Sequence, residues 1–558
     1  MEEYSGGKSR SYKIIGLGAA VLVVIALIVL AALSIYSPNV TVPGDYRTIQ
    51  AAIDAASDGD VIIVEPGVYY ERLDFLGKNL TLQSTDPEDS DVVAATVIDS
   101  RRRGSVVTFQ NGEGEGAVLN GFTIAGGTGT RDAIIYVDEG EEIVNEGNFG
   151  GGIFISGGSS PTIINNVIAN NNVDLDGGGI AVLNFSNPVI RNNIIEDNSA
   201  LNGAGITIWD SSPTIENNTL RQNRARYLGA AISIDFESSP AISGNEIISN
   251  SATSGGGIAI WKSDPMITAN TFRRNAAIWI GGGIVVSDAS PTIDGNEFVR
   301  NTSTNLGGGI AVSEGASPMI SNNQINDNYT EENGGGIAVI EGSEPTITGN
   351  IIADNVVIFG GGGIYVSESS PTITGNNILN NLVQQDGGGI ALDGSEAVIT
   401  DNIIDENIAG RAGGGLVVHG DSTVVLEDNT ISRNQAATGG GMIVQQSTVT
   451  LERNTINDNH AGDGSGGGII LVANTVADIR DNIFSENTAL EFGGGLVAFD
   501  NSIITLRGND FTGNEANLGG AFIGFGDASI DLEDPDDNTY SGNIPEDVEA
   551  EEDEGEDD

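Results

Sequence analysis

The chain holds 558 residues, with 79 glycines, 5% aromatics and no cysteine. Tight turns and small core side chains are therefore expected, and disulfides and thiolate metal sites are excluded. Its 78 acids against 23 bases leave a formal charge of −55, which repels nucleic acid and anionic lipid and suits cations or concentrated salt.

Lys8, Arg10 and Lys13 precede the uncharged run IIGLGAAVLVVIALIVLAALSI, Ile14 to Ile35. That length matches the roughly 20 residues that span a bilayer core and exceeds the ~7–15 apolar residues of a cleaved signal peptide, the alternative reading. No basic residue follows before Arg47, so the charge asymmetry holds the N-terminus in the cytoplasm and exports the rest. The expected order is a cytoplasmic segment (1–13), a single-pass membrane anchor (14–35) and a linker (36–47).

TIQAAIDAASDGD (48–60) then sets Ile49, Ala52, Ile53 and Ala56 at helical spacing, and Asp58-Gly59 ends the helix. VIIVEPGVYYERL reads as a strand, a Pro66-Gly67 turn and a second strand. A cap over the first open edge, followed by irregular coils, is expected across 48–149.

From Gly150 to residue 543 one unit recurs. The hydrophobic residue after each glycine cluster runs Ile153, Ile180, Ile206, Ile232 and onward to Phe522, always 26 or 27 residues apart. Asparagine pairs five apart, Asn166/Asn171 to Asn509/Asn514, run beside it. Self-similarity at this period is the mark of a solenoid. Each unit carries three short alternating runs, G-I-x-V, P-T-I and N-x-I, too short for helices and bounded by turn residues. Proline leads the second run, where a strand tolerates its missing N–H. The fold class expected is all-β: a right-handed single-stranded parallel β-helix with three strands per coil. Each position stacks on its own copy about 4.8 Å away, so isoleucines fill the core and asparagine amides pair along ladders. The tail 544–558 is almost wholly acidic and reads as a solvated, disordered end.

TIQAAIDAASDGDVIIVEPGVYYE, GKNLTLQS, LNGFTI and the tandem GGGI…SPTI…N-x-I elements resemble the pectin-lyase-like superfamily of parallel β-helix proteins. The GGGI and F-x-x-N elements are also similar to repeats of polymorphic autotransporter passengers. The resemblance covers roughly residues 43–543. It implies the fold, but its members include polysaccharide lyases, hydrolases, esterases, epimerases and non-enzymatic adhesins.

Hydrolase members carry N-T-D, D-D, G-H-G and R-I-K elements. Here His419-Gly420 stands outside such a context and R-I-K is missing. Two histidines, four methionines and no cysteine make a copper site a poor reading. DPDDNTYSGN (534–543) begins like a calcium loop with Asp534, Asp536 and Asn538, but Thr539 stands where the loop needs glycine. No dedicated metal site is expected, and Ca²⁺ is the one cofactor the acidic surface suits.

One stretch departs from the repeat. Reading the residue after each G-I-x-V as an outward column gives Leu183, Trp209, Asp235, Trp261, Ser287, Ser313, Ile340, Ser367, Asp393 and His419. Trp209 and Trp261 should lie two rungs, about 9.6 Å, apart, with Asp235 between them. Asp210, Lys262, Arg226, Tyr227 and Trp279 adjoin. Aromatic faces beside acids and bases suit sugar rings, so Trp209, Asp210, Tyr227, Asp235, Trp261, Lys262 and Trp279 are the candidate carbohydrate contacts. Lys262, Arg226 and Asp235 are the candidate catalytic groups if the scaffold is a lyase. The repeat lacks long insertions, so a flat, loop-poor groove is expected, which favours binding over chemistry. The expected function is a membrane-anchored, extracytoplasmic rod of the adhesin type that contacts polysaccharide or another cell-surface component. A pectate-lyase-like enzyme is the alternative.

Overall fold

The computed structural model describes residues 39–138, 141–532, 537–545 and 549–550. The apolar run 14–35, Asp534, Asp536 and most of the acidic tail lie outside the described residues. Among those described, no helix is long and apolar enough to cross a membrane.

Alternation in Ile-x-Val-x turns the first and third side chains inward, and the 26–27-residue period brings identical positions into register. Ile284 thus pairs with Ile310, and Val286 with Val312, in a parallel ladder. Every regular strand pairs with its counterparts in adjacent coils, and the product is an all-β, right-handed parallel β-solenoid. Three long sheets run its length. The glycine-led sheet begins at Leu73–Asp74 and contains Ile153–Ile155. The proline-led sheet runs from Val40–Val42 to Ser529–Leu532 in 19 strands. The asparagine-led sheet runs from Gly67–Tyr69 to Thr539–Ser541. Nineteen strands spaced as β-neighbours give a rod of roughly 86 Å.

A fourth ladder was not expected. Twelve two-residue strands, Ser199–Ala200 through Thr488–Ala489, follow the second asparagine of each pair. Two residues offer no alternation to read, and a single small buried side chain such as Ala225 or Ala252 marks each one.

The core is one stack of fully buried Ile, Val and Leu. Phe272–Phe298 and Phe484–Phe511 repeat that stacking with ring centroids 4.6 Å apart. The asparagine ladders are as expected and more completely bonded. Asn193 Nδ2 donates to Asn218 Oδ1 at 3.0 Å and to the Ile163 carbonyl at 2.9 Å, while its backbone N–H donates to the same Oδ1. Both ladders continue one coil past Asn509/Asn514, to Asn538 and Asn543. Asn538 Oδ1 is buried and accepts from Asn509, so in 534–543 this side chain serves the ladder. The residue before each ladder asparagine is left-handed, as at Arg300 and Asp327 (both φ 56°). Their side chains meet at 3.5 Å, the exposed pair the spacing implies, worth about 0–1 kcal/mol.

The helix forms at Ile49–Ala55, with Thr48 capping it and Ile49, Ala52 and Ile53 buried. Glu71 accepts the N–H groups of Ile49 and Gln50 at 3.0 Å. At the other end, Lys78 Nζ donates to the carbonyls of Ile53, Asp54 and Ala56, each at 2.8 Å. Opposite charges thus sit at the two poles of the helix dipole.

The loop-poor expectation fails at one place. An antiparallel hairpin, Thr130–Asp138 paired with Glu141–Phe149, projects from the coil before the regular repeat. Its Ile134 and Phe149 are buried in one cluster with Phe154, Ala181 and Leu183, on the outer face of the glycine-led sheet. The face is therefore walled at its N-terminal end.

Candidate functional site

Each glycine-led strand points two side chains outward, not one. The second position gives the floor, at Ala259 and Val285. The fourth position gives one wall, including Asp235 and Trp261, which pair in register as expected. The chain entering the sheet gives the other wall, with Leu228, Trp279, Ile280 and Leu306. Together they enclose a groove of about 490 Å³, with Trp261 and Trp279 on its walls and Glu314 and Glu341 at its edge. Tyr365, in register with Ala338 and Ala391, stands beyond it. A second hollow of about 520 Å³ follows, lined by Asp386, Arg411, His419 and Gln445. In it His419 Nδ1 lies 3.1 Å from Asp393 Oδ1, and Arg411 pairs with Asp386.

The groove brings together Trp261, Trp279 and Asp235 of the expected set. Trp209 belongs instead to packing, because its ring stacks on Phe236 at 5.5 Å and 1° and borders the hairpin cluster. Phe236 also meets Trp261 at 6.2 Å, so a third aromatic joins the two tryptophans where the sequence suggested Asp235. Asp210 occupies a left-handed turn (φ 46°) outside the groove. Tyr227 is 45% exposed and does not line the groove; the Arg226 guanidinium lies 5.2 Å from its ring centroid. Lys262 places its ammonium 4.5 Å from the Trp261 ring centroid and 3.9 Å from Asp288. Neither Lys262 nor Arg226 lines the groove.

Tyr365, Glu314 and Glu341 were missed because only the fourth outward column was read: Tyr365 is a single tyrosine among alanines in the second column, and the two glutamates lie one residue past the fourth, in the turn.

Asp235 is only 9% exposed and accepts from Ser233 Oγ at 2.7 Å. Burial, with the charge of Asp176 adding, pushes its carboxyl up to about 7. Burial also raises Asp176 to about 7, against hydrogen bonds from Asn202 that pull it down. Both acids hold protons in the fold at pH values where the unfolded chain has released them. Stability from this pair is therefore greatest near pH 4 and declines as pH rises towards 7. Hydrogen exchange of strand Ile232–Asp235 should show opening easier by a few kcal/mol, about 2–4, at pH 7 than at pH 4. Asp235→Asn should remove a large part of that slope, whereas a flat wild-type profile would mean that water reaches both carboxyls.

Among comparisons with known proteins, no curated protein matches the chain. Of solved structures, a PL6 family alginate lyase, AlyGC, is similar at 11% identity over 90% of this chain and 98% of its own, with a TM-score of 0.23. The description "right handed beta helix region" matches three overlapping segments, 102–275, 256–412 and 386–544. They take in well over half of the chain and follow the ladders described above, so the chain belongs to the right handed beta helix family.

Proposed function

We propose that the protein is a rod that binds polysaccharide through the groove on its glycine-led sheet, held at the cell surface by residues 14–35. The helix Ile49–Ala55 closes the first coil of that rod. One observation carries the reading: two tryptophans, Trp261 and Trp279, face one groove over a floor of small side chains. Such a groove lets the C–H faces of a sugar ring lie on an aromatic plane while its hydroxyls reach the acids at the edge. The lyase alternative has less support, because Lys262 is engaged with Asp288 and Trp261 while Arg226 lies over Tyr227.

The test is co-sedimentation of the full-length chain, in detergent, with a set of neutral and charged polysaccharides. Trp261→Ala/Trp279→Ala should weaken binding about 30-fold or more, as expected for two aromatic anchors of roughly 1–2 kcal/mol each. Unchanged binding in that variant would remove the groove from the reading. Unsaturated products in the same tubes would replace binding by catalysis.

A further inference from the structure

The groove carries a charge pattern that selects among glycans. Glu314 and Glu341 line it with no basic side chain among the lining residues, while Asp235 is turned to Ser233 and only partly charged near pH 7. The turn after the glycine-led strand presents Asp288, Glu314, Glu341 and Glu368 on four successive coils. Burial, then Glu341 and Asp288, holds the Glu314 carboxyl above its usual range, while Lys262 pulls the other way. A concave, low-dielectric site lined by one sign of charge concentrates the opposite sign. The aromatic walls act in the same direction, since an indole face attracts a cation. The molecule already uses that property, with its own Lys262 ammonium 4.5 Å from the Trp261 ring. A uronate polymer entering here would lose hydration against like charge and find no base among the lining residues to offset it.

We propose that the groove between Trp261 and Trp279 takes a cationic glycan, an amino-sugar polymer. Its ring faces lie on the tryptophans and its ammonium groups against Glu314 and Glu341. The inference rests on the glycan-binding reading above and narrows it to one class.

Three hexasaccharides of matched length test it on the full-length chain: glucosamine quaternised at nitrogen, whose charge does not vary with pH, its N-acetylated neutral counterpart, and a uronate. At low salt the quaternised oligomer should bind at least tenfold tighter than the neutral one, and the uronate should not bind. Raising salt to 1 M should close the gap, since exposed charges are then screened within about 3 Å. Glu314→Gln/Glu341→Gln should cut the preference to under threefold, the glutamines keeping acceptors for sugar hydroxyls while losing the charge. Uronate binding equal to or tighter than the quaternised oligomer would overturn the inference and keep the groove. So would a cationic preference that survives the double glutamine variant. Failure of all three to bind would end the glycan reading and the inference together.

Discussion

Asn328→Leu is expected to lower the stability of the rod by about 4–6 kcal/mol and to open it locally. Asn328 is fully buried. Its Oδ1 accepts from the backbone and side-chain nitrogens of Asn301 at 2.9 and 3.1 Å. Its Nδ2 donates to the Phe298 carbonyl and to Asn355 Oδ1, both at 3.0 Å. Leucine fills the space but takes the acceptor from the Asn301 backbone N–H, about 1–3 kcal/mol when buried. It also removes one hydrogen bond each from Asn301 Nδ2, the Phe298 carbonyl and Asn355 Oδ1, about 0.5–1.5 kcal/mol apiece. Asn301 Nδ2 keeps the Phe272 carbonyl and Asn355 Oδ1 keeps the N–H of residue 328. Part of that sum is recovered as the coil relaxes. Repeats in a solenoid are held by their neighbours, so the loss should centre on strands Gln324–Asn326 and Ile351–Ala353. Hydrogen exchange read by strand checks this. Asn328→Asp is the companion, because it keeps an acceptor and loses the donor while burying a carboxyl. Burial raises that carboxyl's pKa, so the variant should be less impaired at pH 4 than at pH 7. Protection in Asn328→Leu equal to the wild type would mean that core stacking alone holds the coils.

The fold was legible because the repeat states the same physical solution many times. A period of 26–27 residues with Ile-x-Val alternation admits one register, and the register places Trp209, Asp235 and Trp261 on successive coils as observed. Side-chain direction at the turns was not legible. Phe236 lies in a left-handed turn (φ 49°) and its ring stacks on Trp209, whereas the following coils place charged Lys262, Asp288 and Glu314 in their left-handed turns. Asp235 keeps its register but turns to Ser233 rather than to solvent. The hairpin was written in the sequence as two apolar runs about Asp138-Glu139-Gly140, and it escaped notice because it precedes the strict repeat. Without it the outer face reads as flat. Its presence makes Trp209 a packing residue and leaves Trp261 and Trp279 to face the groove.

Gly308→Ala, like a methyl at the equivalent glycine of other coils, is expected to be severely damaging, preventing folding or costing more than about 3 kcal/mol, the upper range for overpacking. A methyl group there would lie 2.5 Å from the Gly335 carbonyl oxygen and 2.8 and 2.9 Å from the Tyr329 backbone oxygen and nitrogen. All three are main-chain atoms of the adjoining coil, so no rotamer change relieves the contact. The coils would have to separate, and their spacing is fixed by the ladders on every side. Gly295 provides the contrast within the same repeat. It is left-handed (φ 63°), but a methyl group there meets nothing within 4 Å. Gly295→Ala should cost only the conformational penalty, about 1–2 kcal/mol, and Gly295→Asn less, since Asn322 holds the equivalent position one coil on at φ 53°. Denaturant unfolding with limited proteolysis separates the two glycine roles. If Gly308→Ala were as stable as Gly295→Ala, adjacent coils could part without breaking their ladders. The close approach of main chains at the glycine cluster would then not be what requires the repeated GGG.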